Sequence, residues 1–181
     1  MRKKNVLLGV AGSIASYKAA EIASRLSQAG FNVNVVMTSH ATEFITPLTF
    51  QTLSRNPVTT GIFDEKESWH PGHIALADSA DLLLVAPATA NIIAKLAGGI
   101  ADDALTSIAL ATRAPLLIAP AMNGKMWLHA ATQENVARLK SRGAQFVGPE
   151  EGILACGYEG IGRLWEPSGI LEEAIKILNA A

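Results

Sequence analysis

The chain has 181 residues, of which 49% are hydrophobic and only 17% are charged, and its formal net charge is −1. This length fits one ordinary domain, and a charge so close to zero provides no long-range attraction to nucleic acid or to an anionic membrane. The single cysteine excludes an internal disulfide and predicts a protein of the reducing cytoplasm.

Five short apolar runs predict buried strands. They are continuous rather than alternating, which is typical of strands covered on both faces. The runs are NVLLGV (5–10), VNVVM (33–37), DLLLVA (81–86), PLLIA (115–119) and AQFVG (144–148). A further short strand is predicted at residues 58–60, inside the irregular segment 56–72, which we expect to continue as an exposed loop.

Helical patterns separate these runs. An apolar stripe in SYKAAEIASRLSQAG predicts a helix that ends at Gly30, and GILEEAIKIL predicts a last helix with Ser168 as its N-cap. Further helices are predicted at residues 103–113 and 131–142, with a short one after Asn91. Strands that alternate with helices predict an α/β domain with a doubly wound parallel sheet. Ligands of such sheets bind outside the carboxyl ends of the strands, so we consider the residues there first.

The ends of the first two strands carry groups suited to a phosphate. GVAGSIAS (9–16) has glycines spaced G-x-x-G, so the dinucleotide fingerprint G-x-G-x-x-G is absent. A Gly-Ser turn that opens a helix still offers N–H groups, a hydroxyl and a positive dipole end. Thr38, Ser39 and His40 follow the second strand, where a dinucleotide site usually has an acidic residue. The pattern favours a phosphomonoester, such as that of FMN, over NAD, although two capped helix starts would look the same.

Small and polar residues follow the third long strand. Pro87, Thr89 and Asn91, and then a Gly-Gly turn, would let a flat ring approach the backbone closely. Asp102 and Asp103 could be a paired acid–base site, but we interpret them as the N-cap and first-turn charge of a helix.

Histidine 73 lies in GHIALAD, before an apolar alternation and the third long strand. It is a candidate base, although a lone histidine is more often a structural hydrogen-bonding residue. His70 and His40 are weaker candidates. After the fourth long strand, PAMNGKMW (120–127) sets one carboxamide between two methionines and a tryptophan. That segment is either core filling capped by a turn or the lining of a flat apolar ligand with one polar contact.

Five sequence blocks in a fixed order cover nearly the whole chain: GSIASYK (12–18), HIALAD (73–78), APATANIIAKLAGGIADD (86–103), PAMNGKMW (120–127) and LACGYEGIGRLWEP (154–167). Together they resemble the homo-oligomeric flavin-containing cysteine decarboxylase family. The resemblance implies one Rossmann-like or flavodoxin-like domain over residues 1–181, FMN as the cofactor and no metal. It also implies homotrimers or homododecamers with flavin at the subunit boundary, which would explain the low charge content. The most similar branch converts 4′-phosphopantothenoylcysteine to 4′-phosphopantetheine in coenzyme A biosynthesis, beside a fused or separate synthetase.

The resemblance also implies roles for single residues. Those for the FMN phosphate are Gly12, Ser13, Ile14 and Ser39. Those for the isoalloxazine ring are Pro87, Ala88, Thr89, Asn91, Asp102, Asp103 and Thr106. The implied catalytic residues are His73, Asn123 and Cys156. Substrate would also contact Met122, Met126, Ala155 and Arg163, while either Lys18 or Arg163 could reach its phosphate.

The chemistry of the family explains these residue types. A carboxylate beside a saturated carbon cannot leave as carbon dioxide, because the remaining electrons have no sink. Hydride transfer to FMN would create a thioaldehyde, decarboxylation would leave an enethiolate, and return of the hydride would make the reaction redox-neutral. His73 would take the thiol proton, and neutral Asn123 would orient the carboxylate without a strong ion pair. Cys156, on a glycine-rich flap, would donate a proton in the final reduction.

Three alternatives stay open within this resemblance. A peptidyl-cysteine decarboxylase stops at the enethiol and needs no reducing cysteine, so LACGYEGIGR favours the coenzyme A branch. A non-catalytic flavoprotein that regulates a phosphatase would often carry acidic or low-complexity extensions, which this sequence lacks. A flavin prenyltransferase would not be expected to carry PAMNGKMW. Cys156 could also be a small core residue.

Overall fold

The computed structural model describes residues 2–62 and 72–180, in which strands and helices alternate. The strands are β1 (Asn5–Val10), β2 (Asn32–Met37), β3 (Val58–Thr59), β4 (Leu82–Ala88), β5 (Leu116–Pro120), β6 (Gln145–Phe146), β7 (Glu150–Ile153) and β8 (Glu159–Arg163). The helices are α1 (Ser16–Gln28), α2 (Pro47–Ser54), α3 (Gly72–Ser79), α4 (Ala90–Gly98), α5 (Ala104–Ala111), α6 (Gly124–Trp127), α7 (Ala130–Ser141) and α8 (Pro167–Ala180), with a short 3-10 helix at Ala41–Glu43.

Six strands form one parallel sheet in the order β3-β2-β1-β4-β5-β6. The direction in which strands are added reverses between β1 and β4, and this strand order is that of a doubly wound, Rossmann-like sheet. The predicted fold class is confirmed, and so are the five long strands and the short strand near residue 58. Only β6 is much shorter than predicted, because Gly148, at φ +76°, and Pro149 turn the chain away from the sheet edge.

The core has two halves, one on each face of the sheet. Val6, Leu8 and Val10 pack on the face covered by α1, α2 and α8, whereas Leu7 packs on the face covered by α3, α4, α5 and α7. Successive residues of a strand point to opposite faces, so a strand covered on both sides must be apolar throughout. Leu84 is fully buried, and its replacement by alanine would cost about 2–5 kcal/mol.

Helix α1 follows its sequence pattern closely. Its buried residues lie three or four positions apart, at Ala19, Ile22, Ala23 and Leu26, and form one stripe against the sheet. The helix ends as predicted, because Gly30 adopts φ +93°, which costs glycine little.

Two predictions about helices are wrong. Residues 72–79 form helix α3 and not an alternating apolar segment; Leu76 and Ala77 pack into the core beside α5, so tertiary packing decides this short helix. Helix α8 begins at Pro167, so Ser168 lies in the first turn and is not the N-cap. Proline suits the first helical position because its fixed φ matches the helix.

Several elements were not predicted, among them the short helix α6 and the 3-10 helix at Ala41–Glu43. Helix α2 begins at Pro47 and packs against α1. Strands β7 and β8 form an antiparallel hairpin outside the main sheet, and this hairpin contains the predicted flap. The predicted exposed loop falls largely on residues 63–71, which lie outside the described residues together with His70. Within the part of the chain that the structure describes, no helix combines the length and apolar composition that a membrane span requires.

Candidate active site

The carboxyl ends of four neighbouring strands are joined by backbone hydrogen bonds. The Thr38 N–H donates to the Val10 carbonyl at 3.0 Å, which links the ends of β2 and β1. The Ala11 N–H donates to the Pro87 carbonyl at 3.2 Å, and the Ala121 N–H donates to the Ala88 carbonyl at 2.9 Å. The segments proposed for phosphate, ring and substrate therefore follow one another along a single edge of the sheet.

A cavity of about 710 Å³ opens at this edge, a volume within the usual range of small-molecule sites. Residues from the segments 13–18, 121–123, 153–156 and 162–164 line it. They come from the β1–α1 loop and the first turn of α1, from the segment after β5 and from the β7–β8 hairpin with the residue after it. The residues of PAMNGKMW nearest to β5 therefore border an open space.

Two glycines allow the hairpin to lie directly on the segment after β5. The Met122 N–H donates to the Gly162 carbonyl at 2.9 Å. A Cβ atom on Gly162, whose φ is +133°, would lie 2.2 Å from the Met122 carbonyl oxygen. A Cβ atom on Gly124 would lie 2.5 Å from the Ile161 carbonyl oxygen. Because backbone atoms cannot move aside as a side chain can, only glycine permits this approach.

The orientation of the Asn123 carboxamide follows from its neighbours. Asn123 is the N-cap of α6, and its Oδ1 accepts hydrogen bonds from the Lys125 N–H and the Tyr158 hydroxyl, both at 2.9 Å. A backbone N–H can only donate, so the atom facing Lys125 must be the amide oxygen. The Nδ2 atom consequently points the other way and donates to Cys156 Sγ at 3.4 Å. Asn123 therefore presents N–H donors to the cavity, which suits an anionic acceptor such as a carboxylate.

Cys156 is an exposed free thiol at the tip of the hairpin. The interpretation of this cysteine as a small core residue is wrong, because the flap that carries it lies outside the main sheet. Ala155, Cys156 and Arg163 line the same cavity as Met122 and Asn123. Met126 is exposed on α6 and is not among the described residues that line the cavity.

Four charged side chains lie where the hairpin meets α1. Lys18 Nζ is 3.3 Å from Glu166 Oε1, the Arg163 guanidinium also contacts that carboxylate, and Arg163 Nε is 3.2 Å from Glu150 Oε1. Partial burial alone would raise the pKa of the Glu166 carboxyl, but the Lys18 and Arg163 cations outweigh burial and lower this pKa below its usual value.

The loop proposed for a phosphate lies close to the end of β2. A Cβ atom on Gly12 would lie 2.4 Å from the Cβ of His40, so the loop approaches residues 39 and 40 as closely as glycine permits. Among the described residues no side chain caps α1, and its first turn has no acidic residue, so the positive end of its dipole favours an anion there, although the Ser16 and Lys18 N–H groups donate to the Ser13 and Ala15 carbonyls. Ser13 and Ile14 line the cavity. Ser39 is exposed and follows β2 at the same edge of the sheet.

Several residues predicted to hold the ring have structural roles. Thr89 caps α4, and Asp103 forms a capping box with Thr106 at the start of α5. The N-cap interpretation is thus right for Asp103, but Asp102 precedes the cap and pairs with Lys95 at 2.7 Å. That hydrogen bond lowers the pKa of the Asp102 carboxyl. Pro87 and Ala88 are buried in β4, and Asn91 is exposed on α4. These residues lie along the sheet edge but are not among those that line the cavity.

The structure places His73 in the first turn of α3, away from the described cavity lining. Its Nδ1 is buried and has no hydrogen-bond partner among the residues that the structure describes. A buried nitrogen of this kind normally has a partner, so His73 is suited to contact a further group.

Sequence reasoning missed Tyr158 and Glu166, and it did not find the glycine contacts of Gly124 and Gly162. All but Gly124 lie in LACGYEGIGRLWEP, the block already singled out for Cys156. The sequence signal that could have pointed to them is their position: Tyr158 lies two residues after Cys156, and Glu166 lies three residues after Arg163. Their partners are 35 and 148 positions away, so spacing alone could not reveal them.

The sequence model of the flavoprotein family matches residues 1–179. This chain belongs to the flavoprotein family. The chain of this flavoprotein is 53% identical over 97% of its length to the coenzyme A biosynthesis bifunctional protein CoaBC of Bacillus subtilis (strain 168), of which it spans 43%. It is 47% identical to a probable phosphopantothenoylcysteine decarboxylase of Streptococcus mutans, with 94% of this chain and 96% of that protein covered. A solved structure of the FMN-dependent cysteine decarboxylase SpaF matches with a TM-score of 0.84 and 35% identity, covering 98% of each chain.

Proposed function

We propose that this flavoprotein binds FMN and decarboxylates 4′-phosphopantothenoylcysteine to 4′-phosphopantetheine, as a carbon–carbon lyase of coenzyme A biosynthesis. The observation that carries the proposal is the pairing of Asn123 and Cys156 on one cavity, with Asn123 Nδ2 3.4 Å from Cys156 Sγ. A donor for a carboxylate and a thiol that can return a proton are thus adjacent. The name of the Streptococcus relative supports this substrate, and that of the Bacillus relative supports coenzyme A biosynthesis.

The residues at the sheet edge fit FMN. The uncapped start of α1, the close approach of Gly12 to His40 and the hydroxyls of Ser13 and Ser39 suit a terminal phosphate. The absence of an acidic residue after β2 disfavours a dinucleotide. The residues from Pro87 to Asn91 and the turn before α5 would hold the ring. The FMN-dependent decarboxylase with 35% identity supports this cofactor.

When bound, FMN supplies a reversible hydride acceptor, which provides the electron sink that decarboxylation needs. The protein's own residues do the rest. Asn123 donates its Nδ2 hydrogens to the substrate carboxylate and, being neutral, does not hold that charge so strongly that departure is opposed. His73 accepts the proton of the substrate thiol at its ring nitrogen. Cys156 donates a proton from Sγ when the enethiol is reduced.

The position of Cys156 favours the coenzyme A reaction over a peptide reaction that stops at the enethiol. A reaction that ends at the enethiol has no use for a proton donor beside the carboxylate-binding amide. In this chain the Cys156 thiol lies within hydrogen-bonding distance of that amide. The hairpin that carries it lines one wall of the cavity, and we expect it to close over bound substrate.

We also propose that the chain assembles into homotrimers or dodecamers, with the site completed between subunits. Large apolar side chains at the start of α1 and on α2 are exposed: Ile14 by 57%, Tyr17 by 62% and Leu48 by 67%. His73 does not line the cavity of its own chain, so a neighbouring copy would bring it to Asn123. Native mass spectrometry should give a multiple of three; a monomer would contradict the assembly.

Subunit mixing tests the shared site directly. His73→Asn and Asn123→Ala should each be inactive alone. Mixed trimers formed by co-refolding should regain a fraction of the activity, since some sites would combine an intact histidine with an intact asparagine. Mixtures that stay inactive would show that both residues act from one chain or that the assignment is wrong.

A synthetase, fused or separate, would supply the substrate in the cytoplasm.

The function itself is tested by identifying the product. The purified protein should be yellow and should convert 4′-phosphopantothenoylcysteine into carbon dioxide and 4′-phosphopantetheine, detected by mass spectrometry. Cys156→Ser should accumulate the enethiol, two mass units lighter than the thiol product because it lacks two hydrogens. A protein that stays colourless after anaerobic refolding with FMN would contradict the cofactor, and full turnover by Cys156→Ser would remove this thiol from the mechanism.

A further inference from the structure

Asn123 is the only asparagine of the chain that is followed by glycine. Of the other seven, six precede valine, isoleucine or proline, and Asn179 precedes alanine. Asparagine is a thermolabile residue, because its side-chain amide can react with the nitrogen of the following peptide bond. Glycine has no side chain to hinder that reaction and leaves the backbone free to rotate. We propose that Asn123 is a site of spontaneous deamidation whose rate is set by the contacts of the β7–β8 hairpin.

The modification needs water and no other reactant. The Gly124 nitrogen bonds to the Asn123 Cγ atom and loses its proton, the bond between Cγ and Nδ2 breaks, and Nδ2 leaves as ammonia. The product is a five-membered succinimide ring. Water then opens the ring at either carbonyl carbon and leaves aspartate or isoaspartate. Because Asn123 lines an open cavity, water has access to the ring.

The fold requires the glycine that makes this asparagine labile. Gly124 is buried, and a Cβ atom there would lie 2.5 Å from the Ile161 carbonyl oxygen and 3.3 Å from the Tyr158 hydroxyl. A larger residue at position 124 would therefore push α6 away from the hairpin. The close contact between α6 and the hairpin thus goes together with an Asn-Gly pair at the cavity.

The folded main chain opposes ring closure. The ring forms only when the asparagine Cβ and the Gly124 nitrogen lie on the same side of the Cα–C bond, which requires a negative ψ at Asn123. The ψ of Asn123 is +142°. Two hydrogen bonds resist its rotation, since the Met122 N–H donates to the Gly162 carbonyl at 2.9 Å and the Trp127 N–H donates to the Asn123 carbonyl at 3.0 Å.

The carboxamide of Asn123 is held as well. Its Oδ1 accepts from the Lys125 N–H and the Tyr158 hydroxyl, and its Nδ2 donates to Cys156 Sγ. The hydrogen bonds to Gly162, Tyr158 and Cys156 all come from the hairpin. Local opening of the hairpin therefore releases the main chain and the side chain of Asn123 together.

Deamidation would abolish the role proposed for Asn123. The new carboxylate has no N–H to donate, and it would repel the substrate carboxylate that the amide binds. Only this effect on activity rests on the proposed function. The modification itself depends on the Asn-Gly pair and on the hairpin, and it is measured without any substrate.

Mass spectrometry of the tryptic peptide 114–125 detects the modification, because the deamidated peptide is one mass unit heavier. The purified protein as isolated is incubated in mildly alkaline buffer, beside a sample unfolded in urea. In the unfolded chain Asn123 should react faster than Asn179. In the folded protein Asn123 should react more than about tenfold slower than in the unfolded chain, since several hydrogen bonds must break before the ring closes.

Two hairpin variants test the control of the rate. Tyr158→Phe removes one neutral hydrogen bond and should raise the rate in the folded protein about threefold to tenfold. Gly162→Ala, whose methyl group would overlap the Met122 carbonyl oxygen, should raise it further. Gly143→Ala, with open space around its Cβ position, is the matched control and should leave the rate unchanged. If circular dichroism shows that Gly162→Ala does not fold, Tyr158→Phe alone decides the test.

Equal rates at Asn123 and Asn179 in the unfolded chain would overturn the site. An unchanged rate in unfolded Gly124→Ala would do the same, because that variant adds a side chain beside the reacting amide. Equal rates in the folded parent protein and in the folded hairpin variants would overturn control by the hairpin. Decarboxylation should fall in proportion to the deamidated fraction. Deamidation without this fall would leave the modification standing and contradict the proposed role of Asn123.

Discussion

At the amino ends of the strands Asn5, Asn32 and Asn56 bond one another, whereas at the carboxyl ends Ser13, Asn123 and Cys156 line an open cavity. Asn32 Nδ2 donates to Asn5 Oδ1 and Asn56 Nδ2 donates to Asn32 Oδ1, both at 2.9 Å. This row of hydrogen bonds crosses the amino ends of three strands, and its donors and acceptors bond other parts of the fold.

The carboxyl ends leave comparable groups available. Asn123 directs its N–H groups into the cavity, and the Nδ1 of His73 is buried without a partner in residues 2–62 and 72–180. Glycines permit backbone contacts there that no other residue could make. Polar residues at the amino ends therefore stabilise the fold, while at the carboxyl ends some cap helices and others, Asn123 and His73 among them, are available to ligands. Substitutions should follow this division: losses of stability at the amino ends and losses of activity at the carboxyl ends.

The largest effect on activity should come from His73→Asn. Removing a general base typically lowers kcat by about 10²- to 10⁴-fold, while the fold and the flavin absorbance should persist. The measurement is steady-state decarboxylation together with the visible spectrum. His129→Asn is the control, because His129 caps α7 and asparagine is a good N-cap. Misfolding of His73→Asn with loss of flavin would instead favour a structural role.

The next largest effect should come from Gly162→Ala. The new methyl group would overlap the Met122 carbonyl oxygen and push the hairpin off the cavity. We expect a loss of activity of about a hundredfold and faster proteolysis of the hairpin, because displacement by about 1 Å can cost that much. Gly143→Ala is the control. Gly143 also has a positive φ, but open space surrounds its Cβ position, so this variant measures the effect of backbone strain without a steric clash. Equal effects of the two variants would contradict steric exclusion.

At the other end of the sheet, Asn32→Ala should lower stability and leave activity intact. It would deprive Asn5 and Asn56 of their shared partner, at a cost of about 1–3 kcal/mol. In a chain of this length the corresponding fall in Tm is roughly 3–10 °C. Thermal unfolding followed by circular dichroism measures the change, with exposed Asn179→Ala as the control. A variant with normal Tm and reduced activity would reverse the comparison.

A smaller effect on activity is expected from Tyr158→Phe. The change removes one of the two donors to Asn123 Oδ1 but keeps the ring. The Lys125 N–H still orients the amide, so kcat/KM should fall by about threefold to tenfold, the effect of one neutral hydrogen bond. A loss as large as that of Asn123→Ala would mean that Tyr158 takes part in the reaction itself.

The smallest effect concerns Glu166 and acid stability. Its pKa is lower in the folded protein than in the unfolded chain, so its stabilising effect is present above the unfolded value. That effect is lost as the pH falls through the folded value. Stability of Glu166→Gln should therefore depend less on pH below about 4.5 than that of the parent protein. Urea midpoints between pH 3 and 6 measure this, and parallel curves would contradict the ion pair.

Much of the fold could be predicted because burial on both faces restricts strand composition directly. β1, β2, β4 and β5 were visible as apolar runs, and Gly30 marked the end of α1. Helix α3 was not predictable in the same way, because eight residues of mixed apolar pattern depend on their packing against α5. The β7–β8 hairpin was missed because its burial is slight and its strands are short and glycine-rich.

The chain's own order of residues determined the doubly wound architecture and the kinds of side chain at the carboxyl edge of the sheet. Only the tertiary structure decided that Asn123 turns its N–H groups toward Cys156, that Tyr158 bonds the opposite side of this amide, and that Lys18 meets Glu166. The architecture and the kinds of side chain at that edge depend on local periodicity and burial. The contacts of Asn123, Tyr158 and Lys18 join segments 33 to 148 residues apart. Such contacts leave no trace in the spacing of neighbouring residues.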